Sequence, residues 1–414
     1  MKSIFINIKQ LIQVWDTPPQ WLAGNTMAKL PVIEDAWLWV EADTIIAYGR
    51  MASCPNTTEF EVIDCDGQLI LPTWYDSHTH LIFAAPREGE FVDRINGLTY
   101  QEIAAKGGGI LNSAKKLQNT PINVLFKEAS KRLESLILKG TGAIEIKSGY
   151  GLTLEAELKM LKVAKKLKDN YELPIKITFL GAHAIPQEFK SNPQDYVNYI
   201  CHTMLPEVGA LGYVDFVDVF CEDGYFSVAD TQRILNAAKP YNLTPKIHVN
   251  QFNILGGVAE AVKQNALSVD HLEVLNKADI EALKNSKTMP VALPGCSFFL
   301  GLPYTPAREI LNAELPLALA TDYNPGSAPS GNMSFTVSLA CIKMQLTPEE
   351  AINAATLNGA YALNIQDKYG SITPGKKANF MITKPLTSYA YIPYAFGENC
   401  IDTVYCNGKK QSFD

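Results

Sequence analysis

The stretch Gln68-Leu-Ile-Leu-Pro-Thr-Trp-Tyr-Asp-Ser-His-Thr-His80 carries the strongest indication of the fold. It begins with Gln68–Pro72, an apolar run of strand length, and it ends with two histidines at positions i and i+2. Side chains alternate along a strand, so His78 and His80 share one face. Both imidazole rings can therefore point to one place just past a buried strand. A polar strand end at the surface gives the same pattern, so the pair alone does not decide the matter.

Downstream of this stretch, short apolar runs alternate with segments of helical periodicity, which predicts the βα units of a parallel sheet. In Leu154–Leu167, for example, apolar residues recur at helical spacing. Eight parallel strands with helices between them are the count of a closed (β/α)8 barrel of the TIM type. The predicted strands are Gln68–Pro72, Ala143–Lys147, Ile175–Leu180, Phe216–Phe220, Pro245–Val249, Leu267–Val269, Pro290–Leu293 and Leu317–Ala320.

A doubly wound open sheet is the alternative fold for the same alternation. That fold binds nucleotides through a glycine-rich turn after its first strand. Here the first predicted strand is followed by Trp74-Tyr-Asp-Ser-His-Thr-His80 instead, and Gly107-Gly-Gly109 lies far from any predicted strand end. The barrel is therefore the favoured fold.

The two ends of the chain differ from the middle in their pattern of apolar residues. Ala36–Val40 and Thr44–Tyr48 near the N-terminus, and Ala378–Thr383 and Ile401–Gly408 near the C-terminus, bunch or alternate apolar residues between turn residues. Two β-rich ends around an alternating middle predict one small β-sandwich domain built from residues 1–70 and 370–414. Residues 71–369 then form the α/β barrel domain.

Composition narrows the class of protein. The chain has 414 residues, of which 47% are hydrophobic and 19% charged, with a net charge of −7. A mildly acidic chain without a basic patch gives no support for nucleic-acid binding. No apolar run reaches the roughly 18 residues of a membrane span, and the N-terminal residues are too polar for a signal peptide. The eight cysteines are scattered without a CxxC pair, which is typical of reduced core cysteines in a cytoplasmic protein rather than of a cysteine zinc cluster.

Histidine is scarce, and five of the six histidines fall at or just past predicted strand ends. Asp322 follows the eighth predicted strand, which adjoins the first strand once a barrel closes. Active sites of such barrels lie at the carboxyl ends of the strands. Imidazole together with a carboxylate suits zinc or iron, and three or four protein ligands plus a water form an open catalytic site. We therefore expect one divalent metal, zinc or iron, held by His78, His80, His248 and Asp322.

The motif Asp76-Ser-His-Thr-His80, with a histidine on strand five, a histidine on strand six and an aspartate on strand eight, resembles the amidohydrolase superfamily. A closer resemblance covers nearly the whole chain. It is to a family within that superfamily that hydrolyses the cyclic amide of 4-imidazolone-5-propanoate to N-formimidoyl-L-glutamate in histidine degradation. The stretches that carry this resemblance are Arg87–Phe91, Lys106–Ile110, Glu145–Gly151, Gly181–Ala184, Val219–Glu222, Ala320–Ser327 and Ile392–Gly397.

The resemblance implies roles for several residues. Arg87 would hold the propionate carboxylate, since a guanidinium matches a carboxylate with two hydrogen bonds. A metal-activated water would attack the ring carbonyl, with the metal or His271 stabilising the oxyanion and Asp322 carrying a proton to the leaving nitrogen. The implied protein is a cytoplasmic homodimer that acts on a small molecule. Further substrate contacts would come from Tyr150, His183, Asn324, Gly326 and Ser327.

Gln251 departs from the pattern of that family, which has a glutamate three residues after the strand-five histidine. Glutamine positions water through hydrogen bonds but cannot accept a proton as a carboxylate does. In one explanation, Asp322 and His271 suffice for proton transfer. Gln251 is then a catalytic and substrate-binding residue that positions the water without accepting a proton. In the others, Glu222 or another carboxylate takes over, or the substrate differs. The first explanation is favoured because the other substrate motifs are intact.

Two further functions stay open at this point. A heterocycle aminohydrolase of the same superfamily would release ammonia, although a neutral base gives Arg87 no carboxylate to bind. A catalytically inactive barrel is the second alternative, and only Gln251 invites it.

Some superfamily members bridge two metals through a carboxylated lysine on strand four. Lys147 belongs to predicted strand two, so a single metal is expected.

Overall fold

The computed structural model describes residues 2–98, 102–103 and 108–413. Its N-terminal segment forms β1 (Lys2–Ile12), β2 (Val32–Glu41), β3 (Thr44–Arg50), β4 (Glu61–Asp64) and β5 (Leu69–Pro72). β1 is central to this terminal sheet, because it pairs antiparallel with β2 and parallel with both β4 and β5. Ile4 and Ile8 on β1 are fully buried, whereas Lys9 is exposed. β1 is the longest strand of the terminal sheet, and the sequence analysis predicted no individual strand at these residues.

Eight parallel strands that pair in sequence order form the barrel. The seam between the last and first strands closes just beyond them, where His80 N donates to Tyr323 O at 2.9 Å and Asp322 N donates to His78 O at 3.0 Å. The predicted (β/α)8 barrel is therefore confirmed. Its strands are β6 (Trp74–Asp76), β7 (Thr141–Lys147), β8 (Ile175–Ala182), β9 (Phe216–Cys221), β10 (Thr244–Val249), β11 (Ser268–His271), β12 (Met289–Ala292) and β13 (Ala318–Leu319).

The prediction for the first barrel strand is wrong. The apolar run predicted at Gln68–Pro72 forms β5, which pairs with β1 in the terminal sheet, and the first barrel strand is β6. A short run that is apolar on both faces fits a buried strand in either sheet, so its periodicity does not assign it. The other seven predicted strands overlap β7 to β13, and His78 and His80 still follow the first barrel strand.

The C-terminal segment returns to the terminal sheet with β14 (Phe380–Thr383), β15 (Ile401–Cys406) and β16 (Lys409–Lys410). β14 pairs antiparallel with β5. Phe5 on β1 meets Phe380 edge-on at a centroid distance of 5.1 Å, and Phe380 stacks on Tyr405 at 4.9 Å. Both ends of the chain thus share one mixed sheet with its own aromatic core, and the prediction that both termini build one β-rich unit is confirmed.

Helices pack against the barrel strands. The predicted helix at Leu154–Leu167 extends to Asn170, and Thr153 caps it by accepting a hydrogen bond from Ala156 N at 3.3 Å. In the described part of the chain, none of the helices combines the length and apolar character needed to cross a membrane. The helices are α1 (Glu88–Ile95), α2 (Gly109–Gln118), α3 (Ile122–Ile137), α4 (Leu154–Asn170), α5 (Pro193–Tyr199), α6 (Leu205–Ala210), α7 (Val228–Ala238), α8 (Gly257–Lys263), α9 (Lys277–Lys284), α10 (Pro294–Leu300), α11 (Ala307–Asn312), α12 (Met333–Met344), α13 (Pro348–Ala355), α14 (Leu357–Ala362) and α15 (Tyr391–Tyr394). Of the predicted Lys106–Ile110 motif, Lys106 and Gly107 lie outside the described residues.

Candidate active site

Five of the six histidines meet at the carboxyl end of the barrel. His78 and His80 follow β6, and His183 follows β8. His248 lies on β10, and His271 is the last residue of β11. The rings of His78 and His248 are 4.3 Å apart between centroids, and those of His80 and His183 are 5.0 Å apart and nearly parallel. The strand ends therefore concentrate imidazole groups in one place, as the sequence predicted.

The four predicted metal ligands converge on one point. Oδ1 of Asp322 lies 3.6 Å from Nε2 of His78 and 3.5 Å from Nε2 of His80. Nε2 of His80 lies 3.4 Å from Nε2 of His248. Ligands that share one zinc ion at bond lengths of about 2.0–2.2 Å stand at such separations from one another. All four residues are buried.

Carboxylates lie next to the outward-facing nitrogens of two of these histidines. Nδ1 of His78 lies 2.6 Å from Oδ2 of Asp270, and Nδ1 of His248 lies 2.9 Å from Oδ2 of Asp218. A proton on Nδ1 leaves the lone pair of Nε2 directed at the centre of the cluster, as in metal-binding histidines generally. Nε2 of His78 is buried and has no hydrogen-bond partner among the described residues. The donor set therefore fits a divalent metal.

The protonation of the cluster agrees with that fit. Burial lowers the pKa of His78 well below its ordinary value, and the charge of Lys147 adds to the effect. Burial likewise lowers the pKa of His80 well below its ordinary value, helped by His183 and His248. Both rings are consequently neutral near pH 7, and neutral imidazole is the form that binds metals.

His271 has the opposite electrostatic environment. Burial pulls its pKa down, but Glu273, 3.1 Å from Nδ1, and the charges of Asp322 and Asp270 outweigh that effect and raise the pKa to about 9. The backbone of His271 has φ = +92°, a conformation that non-glycine residues rarely adopt. The site thus holds a histidine that can donate a hydrogen bond to developing negative charge.

A cavity of about 1300 Å³ opens above the cluster. Its volume exceeds the roughly 300–1,000 Å³ that is usual for small-molecule sites, so a small ligand fits inside it, and its lining is both polar and apolar. His78 lies below it, whereas the remaining predicted site residues reach it. They are His80, Arg87, Tyr150, His183, His248, Gln251, His271, Asp322, Asn324, Gly326 and Ser327.

Arg87 lines this cavity, and its guanidinium has hydrogen-bond donors without a partner among the described residues. Its Nε and Nη1 are buried and make no hydrogen bond with the residues that the structure describes. Oε2 of Glu90 lies 3.6 Å from Nη1, so one carboxylate is near without a close hydrogen bond. Buried polar groups are normally hydrogen-bonded. The guanidinium therefore has donor capacity for an anionic ligand group in the cavity.

A buried carboxylate holds the loop that carries Tyr150. Glu157, on α4, accepts hydrogen bonds from Gly149 N at 3.0 Å, Gly151 N at 2.7 Å and Leu152 N at 2.8 Å. The carbonyl oxygen of Gly149 lies 2.9 Å from Nδ1 of His183. One carboxylate thus fixes both the turn around Tyr150 and, through Gly149, the ring orientation of His183.

The loop after Asp322 is tied together by Asn324. Its amide nitrogen donates to Asp322 O at 2.6 Å and to Ser327 Oγ at 2.7 Å. Its amide oxygen accepts from Gly326 N at 2.8 Å and from Ser327 N at 2.7 Å. Ser327 Oγ in turn donates to Asp322 Oδ2 at 3.2 Å. Asn324 therefore shapes the loop and orients the carboxylate of Asp322.

Gln251 and Glu222 differ in their freedom to act on a water molecule. Gln251 lines the cavity, and its Nε2 lies 3.3 Å from Sγ of Cys296. Glu222 accepts hydrogen bonds from Phe252 N at 2.9 Å and from Asn253 Nδ2 at 3.0 Å. The carboxylate of Glu222 is thus bound to the loop that follows Gln251. Of these two residues, only Gln251 borders the cavity.

Sequence reasoning missed six charged residues, five acidic and one basic, behind the histidines and behind Tyr150. A signal for several of them exists, because a charged residue inside an otherwise apolar strand is rarely buried without a partner. The strands Thr141–Lys147 and Phe216–Cys221 both contain such charges. The missed residues are Glu145, Glu157, Asp218, Lys246, Asp270 and Glu273.

A parallel barrel with three histidines and one aspartate converging at its carboxyl end defines the class of metal-dependent barrel enzymes. The sequence profile of the amidohydrolase family matches residues 69–410. Imidazolonepropionase of Christiangramia forsetii is 59% identical over 99% of this chain and 100% of its own length. Imidazolonepropionase of Flavobacterium johnsoniae is 57% identical over the same shares, and that of Geobacillus kaustophilus is 40% identical over 99% and 98%. The chain belongs to the amidohydrolase family and, within it, to the imidazolonepropionases.

Solved structures of lower sequence similarity share the fold. Guanine deaminase of E. coli superposes with a TM-score of 0.75 at 14% identity, covering 100% of this chain and 99% of that one. An adenosine deaminase from Xanthomonas campestris, with bound zinc, superposes with a TM-score of 0.71 at 16% identity, covering 99% and 92%. At such identities the similarity concerns the barrel and the terminal sheet.

Proposed function

We propose that this chain hydrolyses the cyclic amide of 4-imidazolone-5-propanoate to N-formimidoyl-L-glutamate, a step of histidine degradation. The observation that carries the proposal is the open guanidinium of Arg87 in the same cavity as the four converging metal donors. A substrate with a carboxylate at one end and a cyclic amide at the other fits that pairing. The full-length identity to imidazolonepropionases supplies the particular substrate.

We assign one divalent metal, zinc or iron, to His78, His80, His248 and Asp322. When bound, such a metal lowers the pKa of a water ligand and supplies hydroxide near neutral pH. Lys147 is buried in ion pairs with Glu145 and Asp218, at 2.6 and 2.7 Å, which supports the single-metal assignment. An ammonium held in this way is not a metal-bridging carbamate.

The side chains around the cavity take the remaining roles in this proposal. Arg87 binds the propionate, and Tyr150 and His183 orient the ring. His271 donates a hydrogen bond to the oxyanion as water adds to the carbonyl carbon. The bond from that carbon to the ring nitrogen then breaks.

Proton transfer completes the proposed reaction. Asp322 carries the proton of the attacking water to the departing nitrogen. Gln251 holds the water by a hydrogen bond, and the loop of Asn324, Gly326 and Ser327 keeps the Asp322 carboxylate in place. No second carboxylate is required in this scheme.

The direct test mixes the metal-replete protein with 4-imidazolone-5-propanoate generated in situ from urocanate. We expect the ultraviolet band of the imidazolone to decay far faster than in a chelator-treated control. The product should have gained one water by mass spectrometry. Equal decay with and without chelator would defeat the proposal.

Gln251 keeps the inactive barrel in view as a second candidate, because its amide cannot act as the proton acceptor that a glutamate provides. Ammonia measured in the same reaction separates ring hydrolysis from an aminohydrolase activity. Turnover of neither kind by a folded, metal-loaded protein would identify an inactive barrel.

We also propose a cytoplasmic homodimer with domains at residues 1–70 plus 370–414 and at 71–369. All eight cysteines are free thiols, which supports a reducing compartment. Sedimentation equilibrium of the purified protein tests the dimer, and two separate transitions in urea denaturation would support the division into domains.

A further inference from the structure

Five charged side chains lie in one layer directly behind the histidine cluster, none more than 1% exposed. Two are lysines and three are carboxylates, so the layer contains one more negative than positive charge. Isolated charges are strongly disfavoured in a protein interior unless they are paired. We call this group the buried charge layer. Its members are Glu145 and Lys147 on β7, Asp218 on β9, Lys246 on β10 and Asp270 on β11.

Glu145 connects the two lysines of the buried charge layer. Its Oε1 lies 2.6 Å from Nζ of Lys147, and its Oε2 contacts Nζ of Lys246. Lys147 also lies 2.7 Å from Oδ2 of Asp218. Both lysines lie 3.9 Å from Oδ2 of Asp270. Each aspartate therefore has a lysine on the side away from the metal cluster.

The same two aspartates contact the metal-ligand histidines. Asp218 lies 2.9 Å from Nδ1 of His248, and its other oxygen accepts from His248 N at 3.1 Å. Asp270 lies 2.6 Å from Nδ1 of His78. Lys246 additionally donates to the carbonyl oxygen of Ser77, next to His78, at 2.6 Å. Continuous chains of contacts thus run from the lysines to both imidazoles.

Removal of one lysine would leave three buried carboxylates beside a single cation. Like charges at such distances repel strongly in a medium of low dielectric constant. An aspartate can relieve that repulsion by turning away from its histidine. That movement removes the acceptor that fixes the Nδ1–H tautomer of the ring.

We propose that Lys147 and Lys246 are positioning residues of the metal centre. They hold Asp218 and Asp270 in the orientation that directs Nε2 of His248 and His78 toward the metal. The inference rests on the proposed metal ligands, but it is independent of the substrate. Lys147 has the larger part, since it alone contacts Asp218 directly.

Three possible roles of these lysines predict different metal affinities. A purely electrostatic role predicts tighter binding after a lysine is removed, because a positive charge near a divalent cation weakens its binding. A purely structural role predicts a lower melting temperature with unchanged metal affinity. The positioning role predicts weaker binding and a changed ligand field.

The test compares Lys147→Met and Lys246→Met with the unchanged chain and with Lys376→Met. Lys376 is a matched control, because it is also a buried lysine but lies between α14 and β14, bound to the carbonyl oxygens of Gln366 and Tyr369 at 2.7 Å each. The dissociation constants of Zn²⁺ and Co²⁺ are measured on the metal-free proteins by competition with a chromophoric chelator. The visible spectrum of the Co²⁺ form reports the ligand geometry.

We expect the two layer variants to bind Zn²⁺ roughly 10- to 100-fold more weakly, as for other changes behind metal ligands. Their Co²⁺ spectra should shift, and K376M should match the unchanged chain. Unchanged or tighter Zn²⁺ binding in folded K147M and K246M would overturn the inference. If neither lysine variant folds, Glu145→Gln loosens both lysines at nearly constant volume and is expected to weaken Zn²⁺ binding in the same direction; unaltered affinity in that variant equally overturns it. Normal Zn²⁺ binding without imidazolone turnover in the unchanged chain would defeat only the proposed function.

Discussion

Gly326 and Arg87 are so close that a Cβ built on Gly326 would lie 1.1 Å from Nη2 of Arg87. The guanidinium occupies space that only a glycine leaves open. The loop after Asp322, a proposed metal ligand, therefore helps to define where the proposed substrate carboxylate binds.

Gly326→Ala should displace the guanidinium while leaving the metal site in place. We expect KM for 4-imidazolone-5-propanoate to rise about tenfold or more, since a hydrogen bond to a charged group contributes about 1.5–3 kcal/mol. Zn²⁺ affinity should stay unchanged. Gly89→Ala is the control, because a Cβ at that exposed position would contact nothing within 4 Å. Equal KM values for both variants would show that Arg87 does not bind the substrate.

Arg87→Gln tests the carboxylate partner itself. We expect kcat/KM to fall by about 10- to 200-fold, which corresponds to roughly 1.5–3 kcal/mol. With an imidazolone that lacks the propionate, the same variant should lose little or nothing, because the interaction is already absent. A loss of the same size with both compounds would assign Arg87 a structural role.

Glu157→Gln should loosen the turn that carries Tyr150. A glutamine places an NH2 group against backbone N–H groups, so at least one of the three hydrogen bonds to the loop is lost. We expect lower kcat, higher KM and a decrease of about 1–3 kcal/mol in the free energy of unfolding. Metal affinity should not change. Glu155→Gln, exposed on the same helix, is the control; kinetics that move equally in both variants would contradict the assignment.

Gln251→Ala and Glu222→Gln separate the explanations for the missing glutamate. If Gln251 positions the attacking water, its removal should lower kcat by about 10- to 100-fold with a small change in KM. Glu222→Gln should affect kcat much less, because its carboxylate is bound to Phe252 N and Asn253. The reverse order of the two effects on kcat would make Glu222 the proton carrier.

Lys376 gives the stability a defined dependence on pH. Burial lowers its pKa from 10.5 to about 8 in the folded chain. Between those values the unfolded chain binds more protons, so this group makes the free energy of unfolding rise with pH. Relative to Lys376→Met, the unchanged chain should gain about 2 kcal/mol from pH 8 to pH 10 in urea denaturation. A difference that does not vary with pH would show that Lys376 titrates normally.

The barrel could be predicted because the βα alternation and the histidines at strand ends are both visible in the local sequence. The prediction for Leu69–Pro72 was wrong about the sheet, although these residues do form a strand. That choice depends on whether β1 or β7 becomes the neighbour, and β1 begins more than fifty residues upstream. Local periodicity carries no information about such a partner.

The candidate site likewise has residues that could be predicted from local sequence and residues that could not. The clustering of His78, His80, His248 and Asp322 was predictable because each lies at or just past the carboxyl end of a strand of one barrel. Glu157 was not, since its partners are backbone N–H groups whose direction depends on the turn at Gly149, where φ is +106°. The buried charge layer left a detectable trace as charges inside apolar strands, but its pairings depend on the register between strands.

Three of the four backbone groups in the two hydrogen bonds that close the barrel belong to His78, His80 and Asp322, whose side chains are proposed metal ligands, and the fourth is the carbonyl of Tyr323. The first and last strands must find each other across the whole intervening chain, which is the slowest kind of contact for a folding polypeptide to make. A chain emerging from the ribosome accordingly has no complete set of ligands until its barrel is finished. Under the proposed metal assignment, binding of the ion would report that the barrel has closed, and the bound ion would join the two sides of its seam.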